Sequence, residues 1–152
     1  MSHIIHETDF SCASERSRLV ERLKSHHIIP THQRLVIAQA LFSRRQHVSA
    51  DQLLSQVNLD HAEVSKATIY NTLNLFEEKG LVRRIVVDPE RIFYDTHLES
   101  HPHLFNVELG ELTDIEAPDL RIEGLPPLPP DLYQEGLDIV IRVRSRPPTS
   151  LC

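Results

Sequence analysis

The spacing of the apolar residues changes once along the chain, at Gly80, and that change limits the fold. Before it, apolar side chains recur at helical intervals: Leu19, Val20 and Leu23; Leu35, Ile37, Ala38, Leu41 and Phe42; Leu53, Leu54 and Val57; Ile69, Leu73 and Phe76. After it, LVRRIVV and RIFYDT are β-branched and aromatic, joined by Asp88-Pro89-Glu90 with Pro89 suited to the second position of a type I turn. Punctuation agrees with the spacing. Ser14 can cap a first helix that ends before Pro30, and Thr31 a second. Ser49 with Gln52 is a capping-box pattern for a third, and Ser65 caps a fourth that Gly80 closes in the left-handed conformation.

Three helices, a capped fourth and a hairpin in this order make a winged helix-turn-helix over residues 14–97, preceded by a flexible stretch, 1–13. From residue 98 the character differs. HLFNVE and ELTDIE flank Gly110 as two strands and a turn, and IEGLPPLPPDLYQEG is too rich in proline for a long helix. Leu137, Ile139, Ile141 and Val143 alternate with polar residues as a last strand with one buried face. The fold class expected is therefore α+β: the winged helix-turn-helix, then a small α/β dimerisation domain, 98–152, with a short antiparallel sheet. Three strands cannot close a core alone, which predicts a homodimer.

Charge divides at the same place. Residues 1–97 balance twelve basic against twelve acidic side chains, while residues 98–152 carry four against ten and hold the whole net charge of −6. Within 14–45, Arg16, Arg18, Arg22, Lys24, Arg34, Arg44 and Arg45 face only Glu15 and Glu21. Such a cluster fits a phosphate footprint and equally the solvated face of a helix. No apolar run approaches the roughly 18 residues of a membrane span. Two cysteines, Cys12 and Cys152, rule out a disulfide framework or a Cys-x-x-Cys zinc knuckle and fit a reducing cytoplasm.

On the fourth helix, Ala67, Tyr70, Asn71 and Asn74 fall on a face away from Ile69, Leu73 and Phe76. Tyr70 can meet a thymine methyl or a phosphate, Asn71 can bond a base edge, and Ala67 allows close approach to DNA; an ordinary amphipathic helix has the same pattern. The histidines are mostly unremarkable: His3, His6, His26, His27 and His61 are expected at solvated ends or loops. His101 and His103 differ, because i and i+2 on a strand offer two imidazoles to one ion.

The run Ser65-Lys66-Ala67-Thr68-Ile69-Tyr70-Asn71-Thr72-Leu73, with Pro30-Thr31-His32-Gln33-Arg34 and His47-Val48-Ser49-Ala50 before it, resembles the signature of the ferric uptake regulator family. Phe93-Tyr94-Asp95-Thr96, His101-Pro102-His103, Glu111 to Glu116 and Asp138 to Arg144 resemble its iron response regulator branch. The resemblance covers about residues 19 to 146. It implies a dimeric transcriptional regulator, a repressor of iron homeostasis, binding inverted-repeat operators in double-stranded DNA. It also implies Tyr70 as the base-contacting residue and Arg34 and Lys24 as phosphate contacts, with the two helices in successive major grooves about 34 Å apart. His47, Asp95, His101, His103 and Asp114 match the family's sensory site, one divalent metal ion per chain. Nitrogen and oxygen donors without thiolate suit Fe(II), Mn(II) or Zn(II), and ligation across the two halves could set the angle between them.

The departures are specific. Asn106 and Leu109 stand where many relatives have a structural-zinc Cys-x-x-Cys, and Ser100 and Pro102 replace ligands of a further site. Cys12 precedes Ala13 rather than the proline of a haem motif, so haem, if bound, would use His101 or His103. Two other functions compete: a constitutive winged-helix regulator or dimeric scaffold with a vestigial metal site, and a metal hydrolase. The second lacks a separate acid/base motif and a glycine-rich substrate loop, with only four glycines in the chain, so an enzyme is not expected.

Overall fold

The computed structural model describes residues 8–59 and 64–148. The expectations for His3, His6, His61 and Cys152 fall outside these residues, as does the side chain of Cys12. The chain divides into two compact units, residues 1–98 and 99–152.

The first unit runs α1 (Thr8–Ser25), α2 (His32–Phe42), β1 (His47–Val48), α3 (Ala50–Val57), α4 (Lys66–Glu78), β2 (Arg83–Asp88) and β3 (Arg91–Asp95). Its caps act as their spacing predicts. Thr31, Ser49 and Ser65 accept from the backbone N–H three residues on, and Gln52 returns its side chain to the Ser49 N–H in a full capping box. Gly80 at φ 75° ends α4. Leu81 N–H then donates to Phe76 O at 2.8 Å and Gly80 N–H to Glu77 O at 3.0 Å, the paired bonds of a Schellman motif.

α1 ends before Pro30 as expected but starts earlier. It begins at Thr8, six residues before Ser14; this polar stretch lacks apolar periodicity but contains no helix breaker. Its end is closed by His27, which takes φ 58° without being glycine. Ile28 N–H donates to Leu23 O and His27 N–H to Lys24 O, a second Schellman motif that buries Leu23 against Ile28. His26 lies at the partly exposed end of the helix, its Nδ1 donating to Arg22 O at 2.9 Å.

The core of this unit joins Leu23 of α1, Ile37 and Leu41 of α2, Leu53 of α3 and Ile69, Leu73 and Phe76 of α4, all fully buried. Full burial of such side chains contributes roughly 1.5–3 kcal/mol each. The expected hairpin is present, with β3 central between β1 and β2 in an antiparallel sheet.

The second unit contains β4 (His103–Asn106), β5 (Glu111–Asp114) and β6 (Val140–Val143), in the order β5-β4-β6. β4 pairs antiparallel with β5, as expected, whereas β6 runs parallel to β4. The long connection between β5 and β6 makes that direction accessible, since parallel neighbours need a crossover of a dozen or more residues. No helix occurs among its described residues, so the α/β character expected there is carried by strands and a proline-rich loop. β6 also lacks the buried face expected of it: Leu137 and Ile141 are exposed and Ile139 and Val143 half-buried, because no element among the described residues of this unit covers them. Among the described residues no helix is long and apolar enough to cross a membrane.

Candidate nucleic-acid face and metal-ligand groups

The buried stripe of α4 is Ile69, Thr72, Leu73 and Phe76, at i, i+3, i+4 and i+7, with Thr72 an unanticipated polar member. Ala67, Tyr70, Asn71 and Asn74 are all exposed on the remaining surface, with Tyr70 40% accessible. A cleft of about 490 Å³ separates α4 from the start of α2 and is lined by Thr31, His32, Gln33 and Arg34 on one side and Thr68, Asn71 and Thr72 on the other. Arg34 is held in place: its backbone N–H caps onto Thr31 Oγ1 at 3.4 Å and its Nη1 donates to Ile29 O at 3.0 Å. Lys24 is exposed in the last turn of α1 but does not line this cleft.

Lys66 is a neighbour that sequence patterning does not reveal. Its Nζ lies 3.1 Å from Asp51 Oδ1 and 5.8 Å from the Tyr70 ring centroid. The hydrogen bond that Lys66 donates to Asp51, then the Asp51 charge, raises the Lys66 pKa. Both groups are exposed, so the pair orients the start of α4 more than it stabilises it. The signal, an acid in α3 fifteen positions from a lysine, has no local periodicity. Asn58, after α3, is bonded to Val64 ahead of α4, donating to Val64 O at 3.0 Å and accepting from Val64 N–H at 3.4 Å.

Ligand-type side chains occur in both units. In the first, antiparallel pairing sets His47 directly opposite Asp95, and His47 Nε2 lies 3.0 Å from Asp95 Oδ2. Asp95 is completely buried, and its Oδ1 accepts from His97 N–H at 2.8 Å. His47 thus lies in a two-residue strand rather than in a turn before α3. In the second unit the register sets His103 opposite Asp114, with Nε2 3.3 Å from Asp114 Oδ1. His101 Nε2 reaches the same Oδ1 at 2.5 Å. His101 does not share a strand with His103, because Pro102 has no N–H for a ladder and β4 starts only after it. The two rings still converge, their centroids 4.3 Å apart.

Protonation decides what the second group can do. His101 Nδ1 lies 2.7 Å from Glu99 O, and a carbonyl only accepts, so Nδ1 carries the hydrogen. In neutral His101, Nε2 is then a lone pair facing a carboxylate oxygen. Two acceptors at this distance need a proton or a cation between them. A backbone carbonyl fixing the far nitrogen of an imidazole is also how metal-bound histidines are commonly oriented. The donor chemistry therefore fits a divalent ion. Asn106 has a turn role: its Oδ1 accepts from Glu108 N–H and Leu109 N–H.

The profile of the Ferric uptake regulator family matches residues 26–124. The peroxide-responsive repressor PerR of Staphylococcus aureus is 30% identical over 118 residues, 78% of this chain and 74% of that protein. Two solved structures are similar in fold: the ferric uptake regulator from Pseudomonas aeruginosa with manganese (TM-score 0.63, 23% identity, 84% of this chain and 97% of that one), and the Vibrio cholerae ferric uptake regulator (0.65, 20%, 83% and 98%). With a winged-helix unit, imidazole and carboxylate groups in both units, a matching profile and a relative of this similarity, the chain belongs to the ferric uptake regulator family of metal-responsive, DNA-binding transcriptional regulators.

Proposed function

We propose that the protein is a cytoplasmic repressor of the iron response regulator branch, without enzymatic activity, that binds an inverted-repeat operator as a homodimer and responds to one divalent ion per chain. His47, Asp95, His101, His103 and Asp114 are its ligands. Tyr70 and Asn71 meet base edges, Ala67 and Asn74 give room and polarity beside them, and Arg34 and Lys24 meet phosphates. The observation that carries the metal reading is the close approach of His101 Nε2 to Asp114 Oδ1 while Nδ1 is committed to Glu99 O. Iron, manganese and zinc all suit this donor set. Manganese accompanies the Pseudomonas aeruginosa relative.

When bound, the ion supplies positive charge against two carboxylates and replaces protons on the imidazoles. The chain's own part is to hold donors in place: His97 N–H orients Asp95, and Glu99 O orients His101. Ligands drawn from both units are what would make DNA binding respond to the ion. Exposed Tyr70 and Asn71 stand on a helix whose other face is locked in the core, so they are presented to DNA with little conformational freedom to lose.

The test pairs metal analysis of protein purified without chelator with operator binding in the presence and absence of Fe(II), Mn(II) and Zn(II). Asp95→Ala and Asp114→Ala should abolish the metal response, while Tyr70→Ala should weaken specific binding by about 1–3 kcal/mol with the response intact. Operator affinity that ignores all three ions, in the parent protein and in both acid variants alike, would overturn the metal reading.

A further inference from the structure

The basic residues between 14 and 45 do not form one surface. Arg34 joins the cleft beside α4, at the N-terminal end of α2. Arg22, Arg44 and Arg45 gather beyond the other end of that helix, where with Phe42, Thr96 and His97 they line a separate open cleft of about 250 Å³. The 11 residues of α2 at about 1.5 Å rise separate its ends by roughly 16 Å. Thr96 and His97 follow β3 at the end away from its turn with β2. This second cleft is thus distinct from the face that Tyr70 and Asn71 occupy.

The Arg22 guanidinium lies 3.9 Å from the Phe42 ring centroid, and Phe42 in turn stacks on Phe76 at 6.4 Å. Burial lowers the Arg22 pKa, with no carboxylate opposing the shift. Neither Arg22 nor Arg44 forms an ion pair with an acid among the described residues. Arg45 Nη2 donates to His97 Nδ1 at 2.9 Å, which joins two of the lining side chains. Three guanidiniums and a threonine hydroxyl around one concavity, one guanidinium already partly desolvated on an aromatic face, are complementary to a multiply charged oxyanion.

We propose that this cleft is a binding site for a small, multiply charged oxyanion, a phosphate or a polycarboxylate, separate from the metal ligands and from the DNA-reading face. Planar guanidinium forks match either group bidentately, and the cleft is open enough for exchange with solution. Arg45 stands two residues from His47, and Thr96 adjoins Asp95, so an anion here would sit next in sequence to two ligand positions.

Calorimetric titration of the metal-stripped full-length protein with inorganic phosphate, and separately with citrate, tests this and tells the two chemistries apart. Saturable binding of one of them, weakened at least tenfold in Arg44→Ala and in Arg22→Lys, is expected. Arg22→Lys retains charge over Phe42 but loses the fork, and Arg44→Ala changes an exposed side chain, so unchanged circular dichroism and thermal transitions should accompany the loss. Operator affinity of the same variants should keep its salt dependence. Failure of both anions to bind, or binding equal in parent and variants, would overturn the proposal. So would a salt slope for operator binding reduced by about one per arginine removed, which would assign the cleft to DNA phosphates instead.

Discussion

The two units bury apolar surface on different scales. In residues 1–98 a continuous cluster runs from Leu19 through α2, α3 and α4 to Tyr94, and all of its members are buried. In the second unit the buried side chains among the described residues are His103, Phe105 and Leu112, while Leu120, Ile122, Leu125, Leu128, Leu132, Tyr133, Leu137 and Ile141 are exposed. Similar apolar content therefore has different consequences. Helices with wide apolar faces enclose one another inside a single chain. A three-stranded sheet with a proline-rich connection has two faces and too little chain to cover either. The second unit's apolar residues need another copy, in keeping with a family whose members bind DNA as dimers.

Cutting the chain between the units tests this contrast most severely. Residues 1–98 alone should give a cooperative thermal transition and a dispersed amide spectrum, whereas residues 99–152 alone should show neither as a monomer. A folded, monomeric second fragment would break the comparison. Next in size, Phe76→Ala should destabilise the first unit by about 3–5 kcal/mol in denaturant unfolding, because it empties the centre of the core. Ile141→Ala removes an exposed side chain, so it should leave monomer stability nearly unchanged and raise the dimer dissociation constant in sedimentation. Equal costs for the two in unfolding would mean that the second unit is self-sufficient. Ser49→Ala should cost about 1 kcal/mol by opening the capping box of α3.

The smallest effect belongs to Glu108, which receives Ser145 N–H at 3.2 Å and Ser145 Oγ–H at 2.6 Å and so ties the chain after β6 to the β4–β5 turn. These bonds lower its carboxyl pKa below the usual 4.5. A carboxyl with a depressed folded-state pKa stabilises above its unfolded value and loses that contribution as pH falls through the folded value. The difference in melting temperature between parent and Glu108→Gln should accordingly be small at neutral pH and vanish in acid below the ordinary carboxylate range. A difference that grows on acidification would contradict the assignment.

Much of the first unit was legible from single residues. Thr31, Ser49, Ser65 and Gly80 each act on backbone groups within a few positions, so their identity and spacing carry the information. The left-handed His27 was not legible, because glycine is the usual signal there and the surrounding Leu23–Ile28 contact made a histidine acceptable. The Asp51–Lys66 pair, the division of the arginines between two clefts and the parallel direction of β6 were equally hidden. Each depends on where whole elements pack.

By itself the sequence determined the order and type of the elements, the chemistry of the face of α4, and the ligand types available to an ion. All are local: a cap reaches three residues, a helical stripe repeats every three or four, and a side chain brings its donors wherever it goes. Tertiary structure alone decided that His47 stands across from Asp95, 48 positions away, and His103 from Asp114. It also decided that Glu99 O commits the tautomer of His101 and that Arg22, Arg44 and Arg45 share a cleft with His97. The physical reason is strand register and helix packing: closing a long loop brings no contact of its own, and the partner a side chain meets is set by the burial of everything else on its element.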